Sequence, residues 1–310
     1  MKKIYVISIC ITIVLVVTIG ILFIIKRHQN ELKVTVIPKD YHHLFLSNEE
    51  MAFDVEILVN SKDSSLTNKE LINKVYIKDQ DQMYQLQLLQ IKDLEKTLKI
   101  KSDIFHKYIF HFILIGEINN EAINLNKAFL SIETPKMTFD LYIGNVSFLK
   151  VLNFGSPNNE LAINYLKGVT VEENFRKKLC AIIIGFRNNS SSTITVNNVE
   201  IICENISFSN SEKIELAEPK IDNLTINYDL YTNYDNSKIY FNLNANEVKY
   251  FLLPIKYLQP KYLSQCGFKI EYEKEGVSHV MYFDDFLFFT EQSLSHQLLN
   301  NLVIYLYGNH

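Results

Sequence analysis

The chain has 310 residues, with 31 Lys+Arg against 35 Asp+Glu, a formal net charge of −4, nine glycines, four cysteines and no tryptophan. That mild acidity, with no Lys/Arg run longer than three after residue 33, argues against a nucleic-acid or anionic-lipid partner, which would favour a basic face. No two glycines are closer than nine residues, so GxGxxG, GxxxxGK and GxSxG are all excluded, and with them the usual phosphate-cradling loops and the nucleophile elbow.

Residues 4–25 carry no charge, and only Tyr5, Ser8, Thr12, Thr18 and Gly20 interrupt their apolar run. At about 1.5 Å per residue they make about 33 Å of helix, enough for a hydrocarbon core of about 30 Å. The run exceeds the usual signal-peptide core of about 7–15 residues, and cleavage needs small residues at its end. Ala, Ser and Gly are absent between Ile21 and Leu46. The sequence therefore predicts a short tail (1–3), a retained transmembrane helix at 4–25 that makes the membrane one partner, and a stalk at 26–33. Flanking charge does not orient the helix, because Lys2, Lys3 and the α-amine balance Lys26, Arg27 and Lys33. The acidic excess downstream favours a single-pass protein of the cell membrane whose C-terminal domains are extracytoplasmic.

Beyond the stalk a period of two dominates. Phe53, Val55, Ile57 and Val59 alternate with Asp54 and Glu56, Tyr84, Leu86 and Leu88 with Gln85 and Gln87, and Met137, Phe139, Leu141 and Ile143 with Thr138, Asp140 and Tyr142. Such alternation reads as half-exposed antiparallel strands. YIFHFILI (108–115) and LCAIIIGF (179–186) read as strands covered on both faces, and Thr134-Pro135-Lys136 as a hairpin turn. NFGSPNNE breaks the pattern, giving domains at 34–152 and 169–290 around a linker at 153–168. A parity change near Asn197-Asn198 predicts a β-bulge, and Glu275-Gly276 a two-residue turn. The fold class is thus all-β: an N-terminal transmembrane helix, two tandem Ig-like or fibronectin-III-like β-sandwich domains and a short C-terminal helix.

Metal and redox motifs are missing. Cys10, Cys180, Cys203 and Cys266 form no CxxC, and the eight histidines form no HExxH. His42 and His43 are adjacent, so on an extended strand they point to opposite faces. The three cysteines outside the span allow at most one intramolecular disulfide, and the sequence does not choose the pair. No cofactor, metal or catalytic residue is expected.

Two stretches stand out. In INYDLYTNYDNSKIYF, Tyr228, Tyr231, Tyr234 and Tyr240 alternate with Asp and Asn, a composition suited to holding a glycan or a protein surface. In the C-terminal segment 291–310, Leu294, Leu298, Leu302 and Tyr305 fall three and four residues apart, which predicts an amphipathic helix that either covers the second domain or docks in a partner groove. The expected function is a membrane-anchored binding or assembly module with a protein or glycan partner. The alternatives are an accessory subunit of a transporter or secretion complex, and an envelope hydrolase with carboxylates at the domain seam.

Overall fold

The computed structural model describes residues 31–46, 49–115, 122–173, 176–203, 206–220, 229–231, 238–258, 265–287 and 302–307. The predicted transmembrane helix lies outside them. No helix among the described residues is long and apolar enough to cross a membrane. Apart from two single 3-10 turns, the regular structure described is β.

Eight strands build the first unit: β1 (Leu32–Val36), β2 (Lys39–Leu46), β3 (Ala52–Val59), β4 (Lys74–Lys78), β5 (Met83–Ile100), β6 (Asp103–Leu114), β7 (Ala122–Glu133) and β8 (Thr138–Val151). The second unit holds β9 (Leu161–Glu173), β10 (Arg176–Asn188), β11 (Ile194–Ile201), β12 (Ile206–Phe208), β13 (Ile214–Leu216), β14 (Phe241–Leu243), β15 (Val248–Tyr257), β16 (Gln265–Lys274) and β17 (Val277–Leu287). A last strand, β18 (Tyr305–Tyr307), follows.

The first sheet runs β18-β1-β3-β6-β5-β4-β7-β8-β2 and folds over on itself. β5 turns the corner, pairing β4 through Met83 to Leu86 and β6 from Leu86 onward, with register breaks at 88/90 and 93/97. The alternating residues Phe53, Val55, Ile57 and Val59 meet Phe110, Phe112, Phe139 and Phe148 in one core. YIFHFILI is one-sided: Phe110 and Phe112 are buried, whereas Ile109 and Ile113 are half-buried and His111 bonds Asp54. LCAIIIGF is covered on both faces, with Ile182, Ile184 and Phe186 in the second core and Ala181 and Ile183 in a separate cluster with Leu252.

In the second unit, sheet β12-β15-β10-β9, with β13 also on β15, faces sheet β14-β11-β16-β17. Phe241 bridges them, its ring centroid 5.0 Å from that of Phe186 and 4.4 Å from that of Phe251. The expected bulge is present between Val196 and Asn198, and the turn at Glu275-Gly276 joins β16 to β17. Leu161 to Gly168, part of the expected linker, belongs to β9.

Over residues 302–307 the expected C-terminal helix is a correction. Residues 302–304 are irregular and β18 is a strand that pairs β1 antiparallel, Leu32 opposite Tyr307. Leu302 is buried with Ile37, Leu58, Ile100 and Phe105, while Tyr305 and Tyr307 pack on the main core of the first unit and Leu306 is exposed. Leu302 and the tyrosines serve different clusters, so these residues do not share one apolar stripe. Leu294 and Leu298 lie outside the described residues.

The two units meet where β2 passes β16 and β17. A Cβ at Gly267 would lie 2.4 Å from Leu44 Cδ1, so a larger residue there must push the Leu44 side chain aside.

Candidate functional site

Glu275 and Gly276 both take positive φ (52° and 78°), as a two-residue primed hairpin turn requires. The flanking pair Lys274 and Val277 is then hydrogen-bonded, and pairs alternate along the strands. Val277, His279 and Met281 consequently bond to β16, whereas the amides and carbonyls of Ser278, Val280 and Tyr282 point away from it. Gly155 N donating to Tyr282 O at 2.9 Å, beside a single parallel bridge from Phe154, fits this polarity. On the side of β17 that faces away from β16, no strand among the described residues pairs with Ser278 or Val280, and both are exposed. The first unit treats its corresponding last strand differently, since all of β2 lies parallel on β8 from Gly144 to Val151.

Beside this open edge lies a hollow of about 550 Å³ lined by Asn197, Lys238, Tyr240, Glu271, His279 and Val280 among others. The charges of its lining are balanced by one another and by neighbouring residues. Lys269 Nζ donates to Glu271 at 2.6 Å and lies 3.7 Å from Glu200, and Lys238 stands 4.0 Å from Glu271. The hydrogen bond from Lys269 holds the Glu271 carboxyl below the usual range despite partial desolvation.

Behind the hollow, Tyr272 stacks on His279 with ring centroids 5.1 Å apart and donates its phenol to Glu160 at 2.9 Å. Lys274 donates to the other Glu160 oxygen at 2.7 Å. Desolvation opposes ionisation of Glu160, but the hydrogen bonds from Lys274 and Tyr272 outweigh it and hold the carboxyl below its ordinary value. A carboxylate lowered in this way contributes stability in full above the unfolded value of about 4.3 and loses it as pH falls through the lowered value. Glu160→Gln should cost about 1–3 kcal/mol at pH 7, read as a lower urea midpoint, and should remove part of the acid sensitivity below about pH 4.3.

Of the predicted tyrosines, Tyr240 lines the hollow and is 55% exposed. Tyr231 stands elsewhere, its hydroxyl bonded to Lys178, whose Nζ also sits over the Tyr257 ring at 4.2 Å. Tyr228 and Tyr234 lie outside the described residues. Leu302 is a core residue, and the half-buried Tyr305 accepts at its hydroxyl from Tyr142 N at 3.1 Å. Lys238, Glu271 and His279 carry no motif in the sequence, although Glu271 alternates, with Lys269 and Glu273, against Phe268, Ile270 and Tyr272. Another hollow, of about 570 Å³, lies between loops of the first unit and is lined by Lys62, Ser64, Asn68, Lys69 and Lys136 among others. No group of three or more His, Cys, Asp or Glu side chains among the described residues is placed to hold a metal ion.

No protein-family model matches the chain, and no curated protein does. Among solved structures, the chain is similar to the collagen adhesin (CNA) from S. aureus, with 12% identity, 89% of this chain and 95% of that one covered, and a TM-score of 0.24. It is similar also to the C-terminal domain of the Streptococcus agalactiae AgI/II polypeptide BspA (7% identity, 81% and 98% covered, TM-score 0.20). The Pseudomonas aeruginosa CupB2 chaperone aligns equally loosely (8% identity, 81% and 98% covered, TM-score 0.20).

Proposed function

We propose that this chain is a binding module, held at the cell membrane by residues 4–25, whose two immunoglobulin-type sandwiches stand outside the membrane. Its partner is a protein that adds an extended segment to β17. The observation that carries this reading is the open polar edge at Ser278 and Val280 beside a hollow able to take side chains. An exposed strand edge offers main-chain hydrogen bonds for affinity and alternate side-chain positions for specificity. Strand order supports the immunoglobulin type: β1-β3-β6-β5 against β4-β7-β8-β2, and β9-β10-β15 against β14-β11-β16-β17, with Greek-key connections between the layers. Anchoring is supported by the length of the apolar run and the missing cleavage site.

A photo-crosslinker at Ser278 of the full-length protein in intact cells tests the site, with the same probe at Thr170 on β9 as the control edge. Val280→Pro removes one outward N–H without breaking a bond to β16, because proline is tolerated on sheet edges. The Ser278 adduct should disappear in Val280→Pro while the far-ultraviolet spectrum and melting stay unchanged. Equal adducts from Thr170, or a Ser278 adduct indifferent to proline, would defeat strand addition. A glycan partner would instead respond to Tyr240→Ala and ignore the proline. Protease added outside should remove both units, and protection until lysis would place them on the inner side.

A further inference from the structure

The seam between the units holds a thiol–imidazole contact: Cys203 Sγ lies 3.1 Å from His42 Nε2. His42 belongs to β2 of the first unit and alternates with His43, which faces the aromatic core. Cys203 follows the end of β11 in the second unit, where its amide donates to Ile201 O at 2.9 Å, a tight turn that bends the chain out of the strand. Just before this turn β11 is still in register with β16, Ile201 opposite Phe268, and Ile202 N donates to Gly267 O at 3.0 Å. One residue further on each side stand Cys203 and Cys266. Both share the parity of the core-facing Ile201 and Phe268, and both pack on the second core. The ladder ends at Ile201 opposite Phe268, where opposed Cα atoms lie about 4.5–5.5 Å apart, so the two cysteines stand just past a pair whose spacing falls inside the span of about 4.4–6.8 Å that a disulfide bridges. The two thiols also feel each other electrically, since burial first and then the neighbouring Cys203 raise the pKa of Cys266. Cys180 is set apart from this chemistry. Its thiol donates to Val169 O at 3.3 Å, and burial pushes its pKa up to about 11.

We propose that Cys203 and Cys266 are a dithiol that closes to a disulfide by exchange with a disulfide-bearing oxidant, and that His42 is the base that activates Cys203. The half-buried Cys203 is the attacking thiol and the buried Cys266 resolves the adduct. In the first step His42 Nε2 takes the Cys203 proton, and the thiolate attacks one sulfur of the oxidant RSSR. The S–S bond of the oxidant breaks, and RS⁻ leaves and takes the proton back from the imidazolium. In the second step the Cys266 sulfur attacks Cys203 Sγ and passes its proton to the departing sulfur. The mixed disulfide breaks, and a second RSH leaves. The protein dithiol is oxidised by two electrons and RSSR is reduced to two RSH. Closure uses the sulfur that bonds His42, so oxidation also removes one hydrogen bond between the units.

The test treats reduced full-length protein in detergent with oxidised glutathione, quenches with iodoacetamide and maps peptides by mass. The expected product has lost two hydrogens and links Cys203 to Cys266, leaving Cys180 to alkylate only after denaturation. Cys266→Ala should accumulate glutathione on Cys203, and Cys203→Ser should take up none. His42→Gln should slow adduct formation in the Cys266→Ala background about tenfold or more at neutral pH and make its rate follow the titration of an ordinary thiol, an effect that a merely packing role would not produce. Melting curves check that each variant is folded. A bridge to Cys180, or no modification of Cys203 in the folded protein, overturns the dithiol. An unchanged rate and pH profile in His42→Gln overturns the role of the base.

Discussion

Gly144→Ala should strip β2 from β8 and destabilise the first unit by roughly 3–5 kcal/mol. Gly144 opens the parallel pairing opposite Lys39, and its φ of +112° is one that side chains rarely adopt. A Cβ at this position would lie 1.9 Å from Lys39 O, a backbone atom that no rotamer change can move aside. The strand must therefore separate at its first pair. β2 carries Tyr41, Leu44 and Phe45 into buried positions and presents Leu44 to Gly267, so losing its first pair weakens both the core and the seam. Urea unfolding of the full chain should show a much lower midpoint for the first unit, with faster hydrogen exchange along β2 and the facing part of β8. A shift below 1 kcal/mol would mean that the β2–β8 pairing contributes little.

A second large effect is acid sensitivity centred on His43. Its ring lies among Phe45, Phe53 and Phe148, with centroids 5.9, 6.1 and 5.8 Å away. Burial first, and the neighbouring His42 second, lower its pKa from 6.5 to about 4. The unfolded chain takes up this proton near pH 6.5 and the folded chain only near pH 4, so the unfolded state binds more protons between those values. Stability is accordingly complete above about pH 6.5 and falls by about 3 kcal/mol as the pH is lowered to about 4. His43→Phe keeps a ring in the cluster and removes the proton site. Its unfolding midpoint should be nearly flat from pH 6.5 to 5, leaving the carboxylate-driven loss below that range, including the part due to Glu160. Equal slopes in the two proteins over that interval would show that His43 is not held neutral.

Strands with one buried face were legible because the pleat writes itself as a period of two: Phe53, Val55, Ile57 and Val59 are all in the core. The second half of β5, from Gln90, carries exposed side chains on both faces, such as Lys92, Glu95 and Lys99, so no alternation marks it as strand. β2 was hidden for another reason, since its pairing with β8 is parallel and joins residues about 105 apart. The site suffered most. Glu160 stood in an expected linker, and its partners Tyr272 and Lys274 are 112 and 114 residues away. Tyr240 was found by composition alone, which also raised Tyr231, a residue engaged with Lys178 in a different sheet. Composition names residue types, but only register brings Ser278 and Val280 to an open edge.

The pairing of β1 with β18 has a consequence for synthesis. β1 is among the first strands made, yet the partner for its outer edge is made about 150 residues after β8. At about 5–20 residues per second, a ribosome leaves that edge uncovered for roughly 10–30 s. Throughout this interval the nascent first unit exposes a flat row of unpaired amides and carbonyls, the template on which strands of neighbouring chains assemble. The short length of β1 limits how much can bind there. On crowded polysomes, the risk of misassembly is therefore set by how fast the second unit is translated.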